Sequence, residues 1–218
     1  MKNIITIILL CLTSSIFAQE QKDLFSIEKG TWSLEGNFRI NTTDREFEEI
    51  NDESSFSFGF SPKVGYAINK NLILGLGLSY GYAKNDIENL QNFDTSQQIT
   101  NAFGFFPYLT KFFPIGEKFA FNIQAEARYS NTSSTTENDF GGGPSETETN
   151  RNSYGVSVRP GINYQLSETV LLQASFGSLG YTHNIRDFEN SNLNQERTNT
   201  FGLNLGTSSL FFGFMILL

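Results

Sequence analysis

The chain has 218 residues, suited to one domain, and a formal net charge of -8 that argues against a nucleic-acid partner. Only 39% of it is hydrophobic and its mean hydropathy is negative, which excludes a bundle of membrane-spanning helices. Its 22 Phe and 19 Gly, beside 5 Pro and 1 Cys, suit a sheet better than a helical bundle.

Lys2, an apolar run over 4–12 and a small, polar stretch around Phe17-Ala18 have the layout of a secretory signal peptide cut after Ala18. Cys11 follows Leu10, where a lipoprotein would need a small residue, so it belongs to the apolar run. The mature chain then holds no cysteine for a disulfide or a thiolate.

Period-two alternation takes over from there. The first predicted strand, 30–40, sets Trp32, Leu34, Gly36, Phe38 and Ile40 against Ser33, Glu35, Asn37 and Arg39. The second, 56–68, lines up Phe56, Phe58, Phe60, Pro62, Val64, Tyr66 and Ile68. The third, 72–82, sets Leu72, Leu74, Leu76, Leu78, Tyr80 and Tyr82 against Gly75, Gly77, Ser79 and Gly81. Gly77 is expected to have room for a methyl group. A fourth strand places Phe103, Phe105, Pro107 and Leu109 together. A fifth sets Phe119, Phe121, Ile123, Ala125, Ala127 and Tyr129 against Asn122, Gln124, Glu126 and Arg128. A sixth sets Tyr154, Val156, Val158, Pro160, Ile162 and Tyr164 against Ser157, Arg159 and Asn163. The seventh, 170–182, alternates less cleanly. In the eighth, from Phe201 to the end, the phase shifts, which a bulge near 207–209 would reconcile.

Short connections at 69–71, 114–117 and 167–169 alternate with long polar ones at 41–54, 84–98, 131–152 and 183–198. Short periplasmic turns and long extracellular loops are the pattern of a bacterial outer-membrane barrel. Aromatics close both ends of the apolar faces: Phe56, Tyr80, Tyr82, Phe103, Tyr129, Tyr154 and Phe201 at the loop ends, and Trp32, Tyr66, Phe113, Phe119, Tyr164 and Phe214 at the turn ends. Two such belts match two membrane interfaces, whereas a soluble barrel would bury its apolar face inwards. The expected fold is all-β, an eight-stranded antiparallel up-and-down transmembrane β-barrel in the outer membrane. Its parts would be a signal peptide (1–18), a short periplasmic N-terminal segment (19–29) and the barrel (30–218).

Four stretches resemble the small outer-membrane β-barrel proteins of Bacteroidota, related in architecture to OmpA and OmpX. They are Lys29-Gly30-Thr31-Trp32-Ser33-Leu34, Phe58-Gly59-Phe60-Ser61-Pro62-Lys63-Val64-Gly65-Tyr66, Pro107-Tyr108-Leu109 and Ser175-Phe176-Gly177-Ser178-Leu179-Gly180-Tyr181. The resemblance spans nearly all of the mature chain and implies a fold rather than an activity. The chain departs from the pattern by ending in Leu218, not in an aromatic, and by lacking a peptidoglycan-binding domain like that of OmpA.

The inward faces carry Glu35, Arg39, Lys63, Glu126, Arg128 and Arg159. Burying charge is costly unless it is paired, so these residues read first as a structural ion-pair network inside a filled barrel. The other reading is a gated polar path. Eight strands leave an interior only wide enough for side chains, and Phe106, Tyr108, Phe112, Leu179 and Tyr181 are also expected to face inwards. A wide pore is therefore not expected. His183 is the single histidine and is expected in a loop near the outer rim. A lipid A deacylase-like His-x-Ser would need Ser where Ile185 stands.

The long connections are acidic. The first holds Asp44, Glu46, Glu48, Glu49, Asp52 and Glu53 against Arg45. Such a surface resists aggregation, and it could also bridge to lipopolysaccharide through divalent cations or dock a basic protein. The expected function is a structural, adhesive or partner-binding role, without catalysis, cofactor or metal. Its partners would be outer-membrane lipid, lipopolysaccharide and a protein of a membrane complex. The alternatives are a narrow permeation barrel and a lipid-modifying enzyme.

Overall fold

The computed structural model describes residues 24–47, 51–89, 94–140, 143–188, 195–204 and 210–218. The expected signal peptide and its cleavage site lie outside them. Ten strands form: β1 (Trp32–Phe47), β2 (Asn51–Asn69), β3 (Leu72–Asn89), β4 (Thr95–Pro114), β5 (Phe119–Phe140), β6 (Gly143–Gln165), β7 (Val170–Phe176), β8 (Ser178–Phe188), β9 (Glu196–Asn204) and β10 (Leu210–Leu217). From β1 to β6 each pairs antiparallel with the next. β7 and β8 follow one another along β6 and make a single wall position. β9 and β10 make the next, β9 along β8 and β10 along β7. β10 returns to β1 through Ser33↔Leu217, Leu34↔Ile216 and Glu35↔Met215. The result is the expected eight-stranded antiparallel barrel. Among the described residues, β1 beyond Glu35 pairs with β2 alone.

The strands run well past the expected ones. β5 and β6 are 22 and 23 residues long and stay paired from Phe119↔Tyr164 to Phe140↔Gly143. About ten residues suffice to cross a bilayer. The long connections are therefore mostly tall hairpins and not loops. Apolar alternation marks only the part of a strand that faces lipid. Above it, Thr, Ser and Asn keep the ladder going through cross-strand side-chain bonds, such as Thr100 to Ser134 at 3.0 Å and Ser96 to Asn138 at 2.7 Å.

The outward face keeps its predicted phase on β1 to β6, with Leu34, Val64, Leu76, Leu109, Ile123 and Val158 all exposed. Ring pairs flank it at both ends: Trp32 with Tyr66 at 5.0 Å and Phe119 with Tyr164 at 4.7 Å, then Tyr129 with Tyr154 at 5.2 Å. One expectation fails on the seventh wall position. Leu179 and Tyr181 face outwards, each 43% exposed. The cause is Gly177, whose φ of 68° places it in the left-handed region. Pairs on β6 run Gly161↔Ser175 and then Val158↔Leu179, so the wall strand has gained one residue. A one-residue bulge reverses every later side chain. Buried Leu171 lies before it, and outward Leu179 and Tyr181 after it. On the last wall position the phase also changes: Phe201 and Leu203 are exposed, as are Phe214, Ile216 and Leu218, with Met215 and Leu217 buried between them. The bulge expected near 207–209 lies outside the described residues.

At the turn end the lumen is apolar. Residues 24–31 fold across it before β1 begins. Phe25 and Ile27 are 2% and 1% exposed, and they pack with Ile73, Tyr108, Phe112, Leu171 and Met215. The turn between β2 and β3 holds them there. Asn71 takes a φ of 57°, its side-chain oxygen accepts the Ile27 N–H at 2.7 Å, and its own N–H donates back to the Ile27 carbonyl at 2.9 Å. Asn is among the few side chains that tolerate this backbone region. Ser26 and Lys70 bond Glu28 beside this turn, the Ser26 hydroxyl first, and hold its carboxyl below the usual range.

Candidate functional site

Above this plug, alternation points the second face of each strand into the lumen. Glu35 from β1, Lys63 from β2, Glu126 and Arg128 from β5, and Arg159 from β6 meet there around one cavity of about 310 Å³, with Arg39 at its edge. Register makes the first pair, because Glu35 and Lys63 are direct cross-strand partners and form an ion pair. The second cluster centres on Glu126. Its Oε1 accepts from Arg128 Nε at 3.3 Å and Nη2 at 3.2 Å, and Arg159 Nη2 stands 3.8 Å from the same oxygen. Gln124 links the two clusters, accepting from Lys63 Nζ at 3.5 Å and donating to Glu126 Oε2 at 3.1 Å.

Two of the cations rest on rings, and those rings rest on glycines. Arg128 lies 3.9 Å from the Phe106 ring centroid, and the Lys63 ammonium 5.2 Å from that of Tyr108. A β-carbon at Gly75 would stand 2.3 Å from the Tyr108 ring, and one at Gly77 2.2 Å from the Phe106 ring. The expected space beside Gly77 is therefore filled. Alternation shows that Gly77 faces inwards, but not that Phe106, its direct partner on the neighbouring strand, turns its ring over it.

Arg39 is exposed, where β1 has parted from β10. Among the described residues no carboxylate pairs with it. Gln124, Phe25 and Ile27 were not singled out from sequence. Gln124 shares the inward face of Glu126, which was the available signal. The short apolar pair in 24–27 precedes any alternation and left none.

At the hairpin end the character reverses. Asp44 and Glu46 stand on β1, and Asp52 and Glu53 on β2, while Glu48 and Glu49 lie outside the described residues. Asp44 accepts from Ser54 at 2.8 Å, and Arg45 lies 3.6 Å from Glu53. Asp86, Glu88, Glu137, Asp139 and Glu146 line a recess of about 870 Å³ with Lys84. The Lys84 ammonium, 2.8 Å away, is the main reason the Asp86 carboxyl sits below its usual range. His183 is a residue of β8, not of a loop, because the ladder continues beyond the lipid face there too. Its Nδ1 lies 2.7 Å from Asn199 Oδ1, which also accepts from the Tyr181 hydroxyl at 2.7 Å. Among the described residues, no three His, Cys, Asp or Glu side chains converge on a common metal position.

No curated protein sequence matches the chain. Among solved structures it is similar to Neisserial surface protein A, at 14% identity and a TM-score of 0.40 over 88% of this chain and 98% of that one. It is similar to the transport unit of the autotransporter AIDA-I from Escherichia coli, at 11% identity and 0.44 over 95% and 80%. OprG from Pseudomonas aeruginosa is another such structure, at 12% identity and 0.42 over 88% and 97%. The assignment rests instead on the family profile for the outer membrane protein beta-barrel domain, which the chain matches over residues 8–208. With a closed ring of amphipathic strands behind that match, the protein is placed in the outer membrane, and the chain belongs to the outer membrane protein beta-barrel domain family.

Proposed function

We propose that the protein is a non-enzymatic, non-conducting barrel that presents its four tall acidic hairpins outside the cell, in a structural, adhesive or partner-binding role. Within its family it stands with the OmpA- and OmpX-like barrels of Bacteroidota, exported by a signal peptide spanning 1–18. Its partners are lipopolysaccharide, bridged through divalent cations, or a basic face of a membrane-complex protein. The observation that carries the reading is the sealed turn end, where Phe25 and Ile27 lie buried across the lumen. An eight-stranded interior has little room to begin with, and two salt-bridged clusters occupy its middle.

The test is reconstitution of the mature barrel in planar bilayers. Baseline conductance is expected, and stable, sustained openings would favour the permeation reading. The lipid A mass spectrum of a deletion strain is expected to match wild type. An altered acylation pattern would revive the enzymatic reading.

A further inference from the structure

We propose that the mid-barrel cavity is a binding site for a small oxyanion of the phosphate class. Four cationic and two anionic side chains line it, an excess of two positive charges in a space walled by protein. The carboxylates are hidden beneath the cations. The side chains of Glu35 and Glu126 are 5% and 6% exposed, against 19% for Lys63, 33% for Arg159 and 36% for Arg128. A solute in the cavity therefore meets ammonium and guanidinium groups.

Those groups have donors to spare. A guanidinium carries five N–H donors in a fixed fork. Arg159 reaches Glu126 through Nη2 alone, and Arg39 pairs with no carboxylate among the described residues. Arg128 spends its Nε and Nη2 on Glu126 and its Nη1 on Ser79 at 3.5 Å, so the spare donors are those of Arg159 and Arg39. The Thr110 hydroxyl lines the same cavity, 2% exposed and without a protein partner. Arg39 is exposed and Arg128 and Arg159 are part-exposed, so their excess charge is open to a solute, and an arginine does not shed it by losing its proton. The volume corresponds to about ten waters, enough for an oxyanion with part of its hydration shell.

The anion comes from solution. Glu35, Lys63 and Glu126 point into the lumen, while their neighbours Leu34, Val64 and Ala125 face lipid on the outside of the wall. Lipid headgroups sit at the aromatic belts instead. The plug closes the turn end, so access is from the hairpin end. There the acidic recess repels large polyanions more than a single small ion.

The experiment is calorimetric titration of inorganic phosphate into the full mature barrel, folded in phosphate-free nonionic detergent, with sodium chloride at matched ionic strength as control. A saturable phosphate signal that chloride does not reproduce is expected. Arg39→Gln and Arg159→Gln should each weaken it by about tenfold, the value of one charge-assisted hydrogen bond. Lys84→Gln, outside the cavity, should leave it unchanged. If Arg159→Gln does not fold, Arg39→Gln and Thr110→Val carry the test, since neither removes an observed ion pair. No saturable signal, an equal response to chloride, or unchanged binding in Arg39→Gln and Thr110→Val would overturn the proposal.

Discussion

Gly77 shows how much a single inward position can be asked to do. Its missing side chain is the floor on which Phe106 lies, and Phe106 in turn carries the Arg128 guanidinium. A methyl there would displace the ring, since overfilling a packed site costs roughly 1–3 kcal/mol. Gly77→Ala should therefore lower the melting temperature of the purified barrel, whereas Gly36→Ala, with nothing within 4 Å of the added carbon, should not. Equal melting temperatures would mean that Phe106 has another place to go. Glu126 is the other residue on which neighbours depend. Glu126→Gln leaves Arg128 and Arg159 facing one another without the carboxylate they share. Breaking a buried pair costs roughly 3–5 kcal/mol, so a clear fall in melting temperature is expected. An unchanged value would show that water already compensates those cations.

At the scale of elements, the N-terminal segment and the seventh wall position determine how the barrel is filled. Ile27 and Phe25 contribute apolar surface to the turn end that no strand supplies. Phe25→Ala should destabilise the barrel by about 3–5 kcal/mol, as for other large-to-small core changes. Together with Ile27→Ala, it should also raise the conductance of reconstituted protein above the wild-type baseline. Conductance unchanged in the double variant would place the seal among the charged clusters instead. Gly177 has a different task. By adding one residue to the wall it turns Leu179 and Tyr181 to the outside, where they continue the apolar surface of Val156 and Val158.

For the whole molecule, lipid is the solvent of the outer face and the ladder is what makes that possible. Among the described residues every strand has a bonded neighbour, and closed ladders leave few backbone groups to hydrocarbon. The mature protein should fractionate with the outer membrane and migrate anomalously on unheated gels. Leu76, 40% exposed in the middle of that face, gives the sharpest check on its orientation. A cation at the bilayer midplane costs roughly 2–4 kcal/mol, so Leu76→Arg should sharply reduce the yield of heat-modifiable barrel. Wild-type yield would contradict the lipid-facing assignment of β3.

Alternation by itself determined the class of fold, the number of wall positions and the facing of β1 to β6. Period two is a local property, and lipid contact enforces it residue by residue. The inward placement of Glu35, Lys63, Glu126, Arg128 and Arg159 was legible for the same reason. What alternation could not supply was anything set between strands. Which carboxylate takes which cation across strands depends on register, and register is fixed by the turns. The height of the hairpins depended on backbone pairing among polar residues, which leaves no hydrophobic trace. The plug of Phe25 and Ile27 depended on a segment with no strand of its own, buried only because a closed ring offered it an apolar mouth. Those were decided by tertiary structure, since each needs two parts of the chain in contact before either has a reason to be where it is.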